Sequence, residues 1–432
     1  MTLKVCIIGA GSSGLAAAKA LRENSVMYDW FEMGSGIGGN WRYNNDNGRS
    51  AAYDSLHIDT SRDRMAYADF PMPKALPNYL HHSQVLEYFE RYAEHFGLIP
   101  LVTFRTRVNH VTRLSDGGYK VSIENIDTGA RKTDVYGAVL VCSGHHWCPK
   151  IPEFPGEFKG KMFHSRNYRR PDGLKGKHVL ILGIGNSGAD IACDVAPVAA
   201  RTFLASRRGA HIIPRHLLGR PTDKWTTPLI SRLPLRAQQM FFSLVVWLSR
   251  GRQSSYGLSV PSTRILAEHP TLSTELLPLI KAGKVRPKPA VERLNGTEVI
   301  FADDSREHVD VFIYATGYRI SFPFLADDLL SVEENRVELY GKVVHPDYSG
   351  LYFIGLIQPL GAIMPLAELQ AQWVAEIITG RLELPARDKM MRSIAEDQIA
   401  LANRYVPSSR HTIQVDFFPY KRWLECQLRR RR

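Results

Sequence analysis

Cysteine is scarce in this 432-residue chain. Its copies, Cys6, Cys142, Cys148, Cys193 and Cys426, include no Cys-x-x-Cys pair. That argues against a disulfide-stapled scaffold, a dithiol redox centre and a four-thiolate zinc site. Unpaired thiols in and beside apolar, strand-like runs fit a reducing compartment, so a cytoplasmic location is expected. Long apolar runs are missing as well. The longest, residues 241–248, falls well short of the ~20 residues that cross a bilayer. No basic-then-apolar leader precedes the first strand-like run at Val5, so neither a signal peptide nor a transmembrane segment is expected. Acidic residues are in deficit: 43 Asp and Glu face 55 Lys and Arg, for a formal net charge of +12. Such a balance attracts phosphate-bearing ligands and anionic surfaces. No nucleic-acid-binding motif accompanies it, and no nucleic-acid partner is expected. Neither a nucleophile triad nor a pair of acids set for hydrolysis stands out.

What is present is two glycine fingerprints. The chain opens with Val5-Cys-Ile-Ile-Gly9-Ala-Gly11-Ser12-Ser13-Gly14, and a second apolar run, His178 to Leu182, leads into Gly183-Ile-Gly185-Asn186-Ser187-Gly188. Each reads as a strand, a tight turn and the start of a helix. The glycines permit the turn, close approach of backbone to a pyrophosphate, and tight helix–strand packing, while the helix N-terminus offers free N–H groups to the phosphates. Two such motifs imply two dinucleotides and electron transfer between them. Glu32 stands eighteen positions after Gly14, at the end of a strand-like run. A carboxylate there accepts hydrogen bonds from a ribose diol and repels a 2′-phosphate. The corresponding place after the second fingerprint holds Ser206-Arg207-Arg208 instead. Guanidinium groups grip a phosphate bidentately, so NADPH rather than NADH is expected there, with Arg207 first and Arg208 second.

Between the fingerprints lies Phe158-Lys-Gly160-Lys-Met-Phe-His164-Ser-Arg-Asn-Tyr168, an F-x-G-x-x-x-H-x-x-x-Y pattern. With its flanking glycine motifs the chain resembles the flavin-containing monooxygenases, from Val5 to about Tyr420, most loosely over residues 215–289. Further matches are Gly38-Gly39-Asn40-Trp41, Asp69-Phe-Pro-Met-Pro73, Cys142-Ser-Gly-His-His146, Ala315-Thr-Gly-Tyr318 and the stretch around Gln358. The resemblance implies an α/β fold of two nested Rossmann-like domains. An FAD domain would comprise residues 1–165 and 299–432, and an NADPH domain with an elaborated insert would comprise 166–298. It also implies that Gly39, Asn40, Trp41, Thr60 and Gln358 lie along the flavin cofactor, and that His164 and Tyr168 serve the domain hinge and NADPH binding.

Asp59 is a departure, because the family usually carries Asn there. An ionised carboxylate accepts but does not donate a hydrogen bond. It would also put negative charge beside a reduced flavin, so Asp59 and Gln358 are the expected catalytic residues. A helix N-cap is the competing reading of Asp59. Metal ligation by His145 and His146 with Cys142 and Cys148 is not expected, since the spacing follows no standard zinc pattern.

The activity implied is NADPH- and O₂-dependent oxygenation, through a C4a-hydroperoxyflavin, of a soft nucleophile such as the nitrogen of a small amine or the sulfur of a sulfide. Two alternatives stand beside it. One is Baeyer–Villiger oxidation of ketones by the same intermediate, toward which Asp59 leans and from which Tyr168 leans away. The other is a non-oxygenating NADPH-dependent flavin reductase. A homodimer is the assembly allowed for. The basic run at residues 429–432 is expected to be solvated.

Overall fold

Two runs that are apolar on both faces become the middle strands of two separate sheets. In the computed structural model, which describes residues 4–258, 261–406, 408 and 411–430, Val5–Ile8 (β1) and His178–Leu182 (β6) are buried almost throughout. In chain order the other strands of these sheets are Tyr28–Phe31 (β2), Val102–Thr103 (β3), Ala138–Val141 (β4), Lys161–His164 (β5), Arg201–Ala205 (β7), Val285–Lys288 (β8), Val311–Tyr314 (β9) and Leu351–Phe353 (β10). One sheet has the order β10-β4-β1-β2-β3 and the other β5-β9-β6-β7-β8. All pairings within both are parallel. Parallel strands need crossovers that cover both faces, which is why these strands read as unbroken apolar runs rather than alternating ones. The α/β class with parallel, Rossmann-like sheets is therefore what the chain adopts. Arg410 and the last two arginines of the terminal run lie outside the described residues.

The chain divides into two compact units. The first contains Met1–Ser50, Thr60–Cys148 and Arg319–Arg432, and the second contains Ala51–Asp59 and Pro149–Tyr318. The helices that matter below are Ser12–Glu23 (α1), Asn186–Val195 (α2), Leu235–Arg250 (α3) and Met364–Ile378 (α4).

In the first unit α1 buries Leu15, Leu21 and a run of alanines, and it packs on α4. The small alanine side chains are what let the two helices approach. A three-stranded antiparallel excursion, Thr106–Arg113, Tyr119–Asn125 and Arg131–Tyr136, leaves between β3 and β4. Its first turn is Asp116-Gly-Gly, closed by Leu114 N–H to the Gly118 carbonyl at 2.8 Å.

In the second unit α3 settles a stretch that the sequence leaves open. Phe242, Val245 and Val246 face a small core with Ile213, Leu217, Ile265 and Leu272. Trp247 lies outward, with Met240, Leu244 and Leu248.

Segment Ala51–Asp59 is stitched onto α2. The Tyr53 hydroxyl donates to Asp190 Oδ2 at 2.7 Å, and Tyr168, from the signature, donates to Asp194 Oδ2. Asp190 and Asp194 are four apart and so share one face of the helix. Asp54 N–H donates to the Arg169 carbonyl at 2.8 Å. Burial pushes both phenols well above their ordinary values, so they stay protonated and act as donors.

The third glycine of each fingerprint is a packing requirement. A Cβ on Gly14 would collide with the Gly9 carbonyl oxygen, and one on Gly188 with the Gly183 carbonyl oxygen. Gly188→Ala is therefore expected to cost about 1–3 kcal/mol, the usual result of forcing a methyl into a filled site. Urea unfolding of the variant checks this, and an unchanged midpoint would refute the packing argument.

Candidate functional site

At the first fingerprint Gly9 takes φ = +100°, and Gly11 is the N-cap of α1 without a side-chain cap. The first bond of the helix is Leu15 N–H to the Gly11 carbonyl, so the N–H groups of Ser12, Ser13 and Gly14 lie ahead of the helical ladder. The second glycine loop closes on this turn. A Cβ on Gly39 would stand 3.1 Å from the Gly11 Cα, and Gly39–Trp41 form one 3₁₀ turn with Asn40 exposed and Trp41 half-buried. This is a backbone cradle with donors and no side chains in the way, which fits a pyrophosphate. Glu32 is buried beside it. Its Oε2 accepts from Ala10 N–H at 2.7 Å, and its Oε1 accepts from Gly34 N–H at 2.8 Å and from Asn47 Nδ2 at 3.2 Å. The carboxylate thus ties the fingerprint turn to the second glycine loop, and it retains lone-pair capacity for a ribose hydroxyl.

The second fingerprint repeats the geometry in the second unit. Gly183 takes φ = +114°, Gly185 caps α2 without a side chain, and the first helical bond is Ala189 N–H to the Gly185 carbonyl. That leaves the N–H groups of Asn186, Ser187 and Gly188 for phosphate. The Asn186 side chain is occupied, because its Oδ1 accepts from Leu272 N–H at 3.0 Å. Ser206 follows β7 half-buried, and its N–H donates to the Lys288 carbonyl at 3.1 Å. Arg207 and Arg208 come next. Both are exposed, and neither has an ion-pair partner among the described residues.

His164 and Tyr168 are buried inside this unit. His164 Nε2 meets the Gly317 carbonyl at 3.0 Å, and its Nδ1 accepts from Arg166 N–H at 3.1 Å. Burial lowers its pKa to about 4, so the ring is neutral. Both nitrogens of His164 and the hydroxyl of Tyr168 are therefore committed to the unit's own framework.

Asp59 ends the stitched segment. It is not a helix cap: the short helix that follows, Arg62–Met65, is capped at Ser61. Instead Asp59 Oδ1, shut off from solvent, lies 3.5 Å from Nη2 of Arg215, and Asp190 Oδ1 lies 3.5 Å from the same nitrogen. Two carboxylates thus share one guanidinium. Burial raises the pKa of Asp59 to about 7, with the Asp190 charge adding to the rise and Arg215 opposing it. Asp190 is raised as well, again chiefly by burial. Near neutral pH the pair can hold one proton.

Gln358 stands in the first unit, half-buried on a short strand, Gln358–Leu360, that pairs with Gln414–Asp416. Thr60, also half-buried, is where the chain re-enters that unit. The histidines and cysteines of 142–148 form no metal-ligand group among the described residues. The group that does come together is His178, His308 and Asp310. Its members bond to one another, with His178 N–H on Asp310 Oδ2 at 2.8 Å and His308 Nε2 at 3.2 Å from Asp310 Oδ1. These bonds close the start of β6 onto the start of β9.

Sequence reasoning missed Arg215, Asp190 and Tyr53. Asp190 sits visibly in the fingerprint helix. Arg215 is an isolated base in a stretch without periodicity, and only tertiary structure reveals its partners.

The flavin-binding monooxygenase-like family model matches residues 2–428. Flavin-containing monooxygenase 5 of Rattus norvegicus is 41% identical over 432 residues, covering 96% of this chain and 80% of the relative. Flavin-containing monooxygenase 2 of Homo sapiens is 37% identical over 440 residues, covering 97% and 81%. Among solved structures, S-allyl-L-cysteine S-oxygenase from Allium sativum superposes with a TM-score of 0.75 at 27% identity, covering 99% of this chain and 88% of that one. Cyclohexanone monooxygenase from Rhodococcus sp. Phi1 bound to NADP⁺ gives 0.72 at 16%, covering 99% and 97%, a likeness of fold.

Two outcomes are expected. Replacing Arg207 and Arg208 together by Ala should weaken NADPH roughly 10–100-fold and leave NADH within about threefold, the scale of lost charge-assisted hydrogen bonds. Equal losses for both coenzymes in steady-state kinetics would remove these residues from 2′-phosphate recognition. The second outcome concerns stability. Because the Asp59 pKa is higher folded than unfolded, its contribution to stability is present at low pH and is lost as pH rises through about 7. Asp59→Asn should therefore melt higher than the parent at pH 8, by roughly 2–4 °C, and gain little at pH 5. A gain independent of pH would contradict the shift.

Proposed function

The chain belongs to the flavin-binding monooxygenase-like family, and from that membership we propose how its two units divide the work of a flavin-dependent monooxygenase that uses FAD and NADPH. When bound, the flavin supplies the redox chemistry, taking hydride from NADPH and activating O₂. The protein's share is to bind, orient and exclude water, and to manage protons. In the first unit the N–H groups of Ser12, Ser13 and Gly14 hold the FAD pyrophosphate, Glu32 takes the ribose, and Gly39, Asn40, Trp41, Thr60 and Gln358 flank the cofactor. In the second, Asn186, Ser187 and Gly188 hold the NADPH pyrophosphate through their backbone, and Ser206, Arg207 and Arg208 hold the 2′-phosphate. His164 and Tyr168 act from inside the unit by fixing β5 and α2.

The observation that carries this reading is the duplicate itself. Two helix N-termini with no side-chain cap follow two glycine turns, one with a buried carboxylate beside it and the other with two arginines beyond it that have no ion-pair partner among the described residues. The overall reaction, S + O₂ + NADPH + H⁺ → SO + NADP⁺ + H₂O, consumes one proton. Asp59, which can be neutral near pH 7, is the residue that holds it.

The substrate S is a small soft nucleophile, an amine nitrogen or a sulfide sulfur. Relatives named for dimethylaniline N-oxide formation and for S-oxygenation support this. The second reading, conversion of a ketone to an ester, is favoured by one feature, the carboxyl at position 59. The five unpaired thiols support a reducing, cytoplasmic setting, and among the described residues no helix is long and apolar enough to cross a membrane.

The purified yellow enzyme, given NADPH and O₂ with trimethylamine, methyl p-tolyl sulfide or phenylacetone in turn, should yield N-oxide or sulfoxide as the main product by mass spectrometry. Predominant ester would establish the second reading. NADPH oxidation with stoichiometric hydrogen peroxide and no oxygenated product would make the protein a reductase. Asp59→Asn is expected to divert at least about half of the NADPH oxidised to hydrogen peroxide, while unchanged coupling would take Asp59 off the list of catalytic residues.

A further inference from the structure

The cluster around Arg215 lies wholly within the unit assigned to NADPH, and part of it belongs to the helix that would hold the coenzyme's phosphates. Asp190 is the fifth residue of α2, about 6 Å of helix rise from the N-terminal N–H groups. Its Oδ1 and that of Asp59 each lie 3.5 Å from Nη2 of Arg215. Tyr53 donates to the other oxygen of Asp190 at 2.7 Å. Other titratable groups facing the cluster are His57, on the same segment as Asp59, Glu275, at the start of the helix Leu276–Lys281, and the Cys193 thiol of α2, which lies in the field of Asp190 and Arg215. One guanidinium thus faces two carboxylates, with a third acid nearby, and with both carboxylates ionised the cluster carries one uncompensated negative charge.

We propose that Asp59, Asp190 and Arg215 form a proton-accepting site that fills when the pyrophosphate of NADPH binds to this unit. The reason is electrostatic. A phosphate at the α2 N-terminus brings negative charge to within about 6–10 Å of Asp190. At an effective dielectric constant of ~20, a unit charge at that range raises the proton affinity of a carboxylate roughly tenfold or more. Arg215 already divides its charge between two acids and has none to spare. A proton on the pair relieves the repulsion, and Asp59, whose raised pKa places it near titration in the free protein, is the oxygen that receives it. Arg215, Asp190 and Tyr53 are then positioning residues: they hold Asp59 and set the pH at which it fills. The coenzyme would thereby load the proton that the overall reaction consumes.

The linkage rests on the assignment of NADPH to the second unit, and binding rather than turnover tests it. The probe is 2′-phospho-ADP-ribose, which carries the phosphates of NADPH but neither the nicotinamide nor any redox chemistry. Titrated into oxidised holoenzyme by calorimetry in two buffers of different ionisation heat, it should be accompanied by the uptake of up to one proton more in the parent than in Asp59→Asn near pH 7.5–8. The 2′-phosphate's own titration is common to both and cancels. The parent Kd should rise about tenfold more than the variant's between pH 6.5 and 8.5. Asp190→Asn, which removes the other acid, should likewise flatten the profile and serves if the first variant does not fold. Tyr53→Phe removes a donor to ionised Asp190 and should move the midpoint of the pH profile upward, which a merely structural hydroxyl would not do. Equal proton counts in the parent and both carboxamide variants overturn the linkage while leaving the NADPH assignment intact. Failure of the probe to bind the holoenzyme at millimolar concentration overturns both.

Discussion

Everything in this protein hangs on two places where a helix starts almost in contact with the strand before it. At Gly14 and Gly188 there is no room for a methyl group between the helix and the carbonyl of the turn. That proximity sets the direction of α1 and α2, and so where their unbonded N–H groups converge. It also explains why the strands ahead of them are apolar on both faces, since each must be covered by its own helix on one side. The chemistry follows from the packing: a phosphate site made of backbone needs a helix end that stands close to the sheet and carries no side chain at its cap.

What differs between the two places is what lies just beyond. The first has a buried carboxylate, Glu32, engaged by backbone donors from both glycine loops. The second has Arg207 and Arg208 on the surface. The same cradle is thus framed by opposite charge in the two places, one negative and one positive. In both units one arginine is divided between two carboxylates, but Arg105 of the first meets Asp46 and Asp127 at the surface, whereas Arg215 of the second meets Asp59 and Asp190 where the carboxyl oxygens are largely shut off from solvent. The second pair is costly to hold with both charges intact, which is why burial raises the proton affinity of both acids.

The strands and helices around the fingerprints were legible because local patterns specify them. The apolar runs at Val5 and His178, the glycine spacing and the Asp116-Gly-Gly turn each depend on residues close in the chain, and the elements form within a residue or two of where they read. Helix α3 was less legible: its stretch reads as an apolar run, Val245 and Trp247 are alike apolar, and only packing turns Val245 in and Trp247 out. Asp59 was visible as an exception, yet its sequence context suggested a helix cap. The partners that define it, Arg215 and Asp190, are distant in the chain, and nothing local advertises an ion pair of that kind. Tyr168 carried a clear motif whose physical purpose, a hydroxyl on Asp194, lies in a contact that the motif does not contain.

The placement of Ala51–Asp59 in the second unit bears on how the chain is made. Tyr53 and Asp190 are separated by 137 residues, and at ribosomal rates of ~5–20 residues per second the tyrosine is synthesised about 7–27 s before its partner. During that interval the chain can complete β1, α1 and β2, but the segment that carries Asp59 has nothing to dock on. The second unit is therefore not a contiguous piece of the polypeptide. Residues 149–318 produced alone would lack Tyr53 and Asp59, leaving Arg215 facing Asp190 with one charge where the whole chain supplies two. The half-buried carboxylate pair is an assembly product of the whole chain.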